Sequence, residues 1–216
     1  MPRKLKNSKK YIVVACEGES EEAYARFLKT EFHDVAVFKI FTHTAFFEEA
    51  NKKFSKEPVF RDNAEETDEI WFFFDVELKD RDKWESRQKI INKLRKMRKN
   101  PGIRVRLLMT SGCIEYWLML HFKRFAPPIQ TDAEKASIIR ELAKKEPSYQ
   151  KGDGKSTGRI AIHYPVAVEN GRWTMENLVE RGLPTIIETD ERNRWLCTNC
   201  LTFSSVFEAI EYLQQL

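Results

Sequence analysis

Carboxylates standing directly after apolar runs are the residues of this chain best placed to do chemistry. Glu17 follows the run Tyr11–Cys16, and Asp75 follows Ile70–Phe74 with Glu77 two positions further on. In extended backbone a spacing of two points both side chains the same way, so Asp75 and Glu77 share a face. Together with Glu17 they make an all-oxygen acidic cluster, which cannot stay ionised and unpaired at close range. A divalent cation resolves that repulsion. Hard oxygen ligands suit Mg²⁺ or Mn²⁺, ions that keep several waters and bind substrate phosphate. Such a centre can activate water and stabilise the charge of a phosphodiester transition state. Asp80 and Asp82 repeat the acid spacing a few residues on, and a shifted register would bring them in instead. The competing reading is bland: Glu19, Ser20, Glu21 and Glu22 are also what the first turn of a helix carries to complement its dipole.

The elements that must position these acids follow an alternating order. Tyr11–Cys16 is short, apolar and β-branched, as a strand buried on both faces should be. Gly18 lets the chain turn, and Ser20 is the expected N-cap of a helix that turns Ala23, Phe27 and Leu28 inward. Val35–Ile40 predicts a second strand, Ala45–Phe54 a short helix, and Glu57–Glu69 a polar connection. Ile70–Phe74 is the third strand. Lys83–Lys99 predicts a long helix stopped by Asn100, Pro101 and Gly102; Ile103–Met109 is a fourth strand; Ile114–Phe125 is a helix apolar almost all round. Strands alternating with helices imply right-handed crossovers and a mainly parallel α/β sheet of about four strands. Acids at the carboxyl ends of such strands lie where open α/β sheets bind ligands. After about residue 126 the pattern becomes helical, at Ala133–Lys145 and finally Phe203–Leu216, and predicts a cover on the sheet within one compact domain.

The 216 residues carry a net charge of only +4, so bulk charge does not mark a nucleic-acid binder, and placement matters more. Residues 1–10 hold Arg3, Lys4, Lys6, Lys9 and Lys10 and read as a flexible basic tail. Lys89, Lys93 and Lys96 crowd the predicted helix 83–99; beside a phosphodiester site they would form a phosphate track, and otherwise a solvated face. GDGKSTG (Gly152–Gly158) lacks the Walker spacing and reads as a flexible surface loop, although Lys151, Lys155 and Arg159 could touch a nucleic-acid backbone. Cys197 and Cys200 form a CxxC with no second ligand pair nearby, which argues against structural zinc; Cys16 and Cys113 read as buried small residues. No apolar run reaches membrane-span length and no signal peptide precedes the first strand, so a cytoplasmic protein is expected. In the predicted helix 114–125, Glu115 needs a partner, and His121 is either a satisfied core histidine or a catalyst.

EGESE (Glu17–Glu21), DVE (Asp75–Glu77) and CIEYWLMLHF (Cys113–Phe122) resemble the signature stretches of RloB-like proteins, and the resemblance spans roughly residues 11–125 with a weaker echo in the C-terminal helix. It implies a TOPRIM-type fold, similar to the nuclease halves of OLD-family proteins. It further implies that Glu17 serves as metal ligand and general base or acid, that Asp75 is the first acid of a DxD element, and that Glu21 is a second acidic position. Glu77 stands where that element usually has aspartate, keeping the charge on a longer arm. Glu115 and His121 are implied to lie on the active-site side. The resulting expectation is a Mg²⁺- or Mn²⁺-dependent nuclease acting on DNA or RNA, a prokaryotic anti-phage defence effector with a possible partner protein or as a homodimer. The rival is a catalytically degenerate module that only binds nucleic acid or a partner. Topoisomerase or primase chemistry would need a further domain to hold a duplex.

Overall fold

A computed structural model of the chain describes residues 9–216. Four strands, β1 (Lys10–Cys16), β2 (Ala36–Thr42), β3 (Glu69–Val76) and β4 (Arg104–Ser111), form one sheet in the order β2–β1–β3–β4 with every pairing parallel. The central strands β1 and β3 are buried on both faces, as their unbroken apolar runs require. Adjacent residues of β3 point to opposite sides, and the aromatic contacts show which helix takes which face. Tyr24 of α1 (Glu19–Glu31) meets Phe73 edge-on, whereas Phe47 of α2 (Phe46–Lys56) stacks on Phe72 at 4.0 Å. On the α2 face also lie α3 (Pro58–Arg61) and α4 (Trp84–Arg95). Beside α1 packs α5 (Ile114–Leu120), whose Trp117 ring lies 5.9 Å from Tyr24.

The chain beyond residue 126 forms α6 (Asp132–Lys145), α7 (Gly154–Ala161), α8 (Tyr164–Val179), α9 (Asp190–Asn199) and α10 (Val206–Gln214). Helices α8 and α10 pack together on the α5 side, and α9 lies against α4 on the other. Between them, residues 203–205 hydrogen-bond along β4: Ser111 N–H donates to Phe203 O at 3.0 Å and Ser205 N–H to Met109 O at 2.9 Å. The expected cover is therefore a wrap around one sheet edge, and it satisfies backbone groups that β4 would otherwise leave open.

Several local expectations change. Arg3, Lys4 and Lys6 lie outside the described residues, but Lys9 donates to His33 O and Lys10 opens β1 beside Asp68, so neither belongs to a tail. Gly18, not Ser20, takes the N-cap position of α1, and in an extended conformation; its missing side chain leaves room for Glu21, whose Oε2 would lie 3.0 Å from a Cβ there. The helix predicted from Lys83 is preceded by a 3₁₀ helix, Leu78–Lys83, and ends at Arg95. The helix predicted to Phe125 stops at Leu120, whose carbonyl accepts from Asn170 Nδ2 in place of a further turn of helix. GDGKSTG does not form a loop: Asp153 caps α7 by accepting from Ser156 N–H at 2.7 Å, which outweighs the weak helix propensity of Gly154 and Gly158. Helix α9 has no counterpart in the sequence expectations.

Candidate active site

Glu17 continues the β1 ladder by one residue, its N–H donating to Phe73 O at 3.0 Å, and its Oε2 accepts from Asp75 N–H at 3.1 Å. That bond ties the two acidic positions together across neighbouring strands. Asp75 lies inside the end of β3 rather than beyond it, paired with Thr110 of β4. It shares the face of Phe73, so its carboxylate projects into the layer of α1 and α5, both of which begin at this edge of the sheet. Glu21 comes from the first turn of α1 and Glu115 from the first turn of α5. Four carboxylates from four elements thus converge, of which the sequence pairs only Glu17 and Asp75 by position.

Their environment does not satisfy them. Asp75 Oδ1 and Glu115 Oε2 are sealed from solvent without a hydrogen-bond partner. Glu115 is completely buried, and its Oε1 accepts from Tyr149 OH at 3.0 Å with Lys151 Nζ at 3.9 Å. Burial, then repulsion from Glu21, Glu17 and Glu115, pushes the Asp75 carboxyl well above the usual carboxylate range, with Lys151 opposing. Glu21 rises to about 7, chiefly through burial and then the charges of Glu17 and Glu115. Glu17 is raised by burial, with the Asp75 N–H opposing.

Glu17, Glu21 and Asp75 line a cleft of about 430 Å³, behind which Glu115 is buried; its walls also include Ser20, Glu77, Cys113 and the lysines Lys79, Lys135 and Lys151. Glu77 faces the same cleft as Asp75 but is engaged by Lys79 and by Lys135 of α6, which hold its carboxyl below the ordinary value despite burial. Gly112 also lines the cleft: its φ is +70° and a Cβ there would lie 2.0 Å from Ile129 O.

Other expected participants stand elsewhere. Asp80 is buried in ion pairs with Lys83 and Arg87, and Asp82 is exposed outside the cleft, so neither replaces Asp75. His121 sits in the core between α1 and α5. Its Nδ1–H donates to Trp117 O at 3.0 Å, leaving Nε2 to accept from Tyr24 OH at 3.1 Å, and burial lowers its pKa to about 3. A neutral, doubly satisfied ring outside the cleft is a packing element. Helix α4 starts near the acidic edge and runs back along the sheet, so Lys93 and Lys96 come to its amino end, where neighbouring Arg98 bonds Pro101 O and Glu65 O. An eight-residue strand spans about 26 Å. The predicted track of Lys89, Lys93 and Lys96 therefore leads away from the cleft. Lys155 and Arg159 sit on α7 outside the lining, Arg159 paired with Glu146. Lys79 and Lys135 were missed; a capping box, Thr131 with Glu134, announces the helix of Lys135, but nothing local says which way Lys135 faces.

The donor set suits a hard divalent cation: oxygen ligands, two buried oxygens lacking partners, and carboxyls whose ionisation is opposed by burial and by one another. Among the described residues, no three His, Cys, Asp or Glu side chains stand as a ready-made metal cage. A family model for RloB-like proteins matches residues 12–210. The chain belongs to the RloB-like family. The match runs well past residue 125 and takes in the residues that wrap around β4. No curated protein and no solved structure matches the chain. No helix among the described residues is long and apolar enough to cross a membrane.

Proposed function

We propose that this RloB-like protein is a divalent-cation-dependent nuclease that cleaves phosphodiester bonds in DNA or RNA and serves prokaryotic defence against phage. The observation that carries the proposal is Asp75 at the carboxyl edge of a parallel sheet, its Oδ1 sealed from solvent without a partner and its backbone N–H donating to the Glu17 carboxylate. Asp75 and Glu17 would hold Mg²⁺ or Mn²⁺, with Glu21 or Glu77 completing the set; the ion supplies activation of water and neutralisation of charge on the phosphate. Glu21, with a pKa of about 7, is poised to carry a proton at neutral pH. Lys151 brings positive charge to the same end of the cleft, where charge builds up as a phosphodiester is attacked. The TOPRIM-like character expected from the sequence agrees with acids borne at the ends of adjacent parallel strands.

A binding-only role draws on one observation, that Glu77 is held by two lysines. Incubating purified protein with plasmid DNA and with total tRNA, in Mg²⁺ or Mn²⁺, separates the two. The nuclease account expects cutting of at least one substrate, abolished by EDTA and lowered at least about 100-fold in Glu17→Gln and Asp75→Asn. Nucleic-acid binding without cutting by any of the three proteins would favour the binding module.

A further inference from the structure

The cleft holds both carboxylates and lysines: Lys151 lies beside Glu21 and Asp75, whereas the other two lysines of the lining engage Glu77. Glu77 follows Asp75 by two residues in extended backbone, φ −122° and ψ 157°, so its side chain is directed into the same cleft. Yet its carboxylate does not join Asp75. It lies between the ammonium groups of Lys79 and Lys135, the second of which arrives from α6 with its side chain four-fifths buried. A carboxylate flanked by two lysines fills the place that a phosphate oxygen pair would take. Meanwhile the fully buried Glu115 Oε2 and the nearly buried Ser20 Oγ lack partners.

We propose that Lys79 and Lys135 form a phosphate subsite for the nucleic-acid backbone, that Glu77 occupies it in the resting protein, and that incoming phosphate releases Glu77 to complete the cation site. This rests on the cation-binding role proposed above and adds to it a regulated order: substrate phosphate and metal bind cooperatively. Glu77 is tethered, so a phosphate displaces it only if the freed carboxylate gains a cation in exchange. Reciprocity then requires that each ligand tighten the other.

The test is Mn²⁺ binding, followed by the loss of the free-ion electron paramagnetic resonance signal, in sodium sulfate and in sodium chloride of equal ionic strength. Sulfate serves as a tetrahedral dianion that chelates Mn²⁺ little. The wild-type protein is expected to bind Mn²⁺ at least about fivefold more tightly in sulfate. Lys135→Met, with Glu77 half-released, should bind Mn²⁺ more tightly in chloride and lose most of the sulfate effect, while Lys135→Arg should keep it. Glu77→Gln should bind Mn²⁺ more weakly and show no sulfate effect. Circular dichroism melts confirm that each variant is folded before its titration is read. Equal wild-type affinity in sulfate and chloride, with Mn²⁺ bound, overturns the subsite and leaves the metal site standing. Absence of Mn²⁺ binding in every protein and both salts overturns the metal site and the subsite together.

Discussion

Glu21 and Asp75 carry more protons in the folded chain than in the unfolded one, because burial and neighbouring acids raise both. A carboxyl whose folded pKa is raised stabilises the fold fully below its unfolded value and loses that contribution as pH climbs to the folded value. For Glu21 the window runs from 4.5 to about 7, and at about 1.4 kcal/mol per unit it amounts to about 3 kcal/mol. In EDTA, urea denaturation should therefore show stability falling between pH 5 and pH 7, and Glu21→Gln should flatten that fall; a flat wild-type profile would contradict the burial of this carboxyl. His121 offers the opposite case. Its ring is neutral and bonded on both sides, so His121→Ala should cost about 3 kcal/mol by removing packing and orphaning Tyr24 OH. Cation affinity, measured by Mn²⁺ titration, should not move. At this scale the residue pattern shows which acids stand at strand ends, whereas Glu115 is brought to them only by the family resemblance, because one turn of α5 and one of α1 meet only after the sheet is built.

Among the elements, those legible in the sequence are the ones held by apolar runs: β1, β3 and β4 lie within two residues of their expected ends, and α1 forms where its apolar residues are expected to turn inward. Helix α9 was illegible for a physical reason. Its anchor is Arg192, fully buried and bonded to Ile186 O at 2.9 Å and Glu208 Oε2 at 3.0 Å, and a buried arginine looks in sequence like a surface one. Arg192→Met would leave Glu208 buried without its partner, and should destabilise the chain by about 3 kcal/mol or more in denaturant titration. The turn between β4 and α5 is as demanding. Gly112→Ala places a Cβ on the Ile129 carbonyl at positive φ, so it should lower Tm by several degrees and disturb the cleft wall. Residues 152–158 misled because glycine and lysine suggest a loop, while a single Asp153 cap starts a helix there.

For the whole molecule, the α/β class, the parallel sheet and the acidic edge follow from the order of apolar runs, whereas the wrap of residues 203–205 along β4 depends on a contact about ninety residues distant in sequence. The core cannot be complete without it. A chain truncated after residue 125 should fail to give a cooperative melt, since it loses the β4 edge partner along with Lys135 and Lys151. The proposed function makes the acidic edge a conflict kept within the fold: acids are packed together at a stability cost that a cation would relieve.

Thermal unfolding of the wild-type protein and Asp75→Asn at pH 8, in EDTA and across a Mn²⁺ titration, tests that claim most directly. The account predicts that Asp75→Asn melts higher than wild type in EDTA, because the repulsion is gone, and gains little from Mn²⁺, while wild type rises with the ion. If Asp75→Asn melts no higher in EDTA and gains as much from Mn²⁺ as wild type does, the acids at the sheet edge are not a cation site.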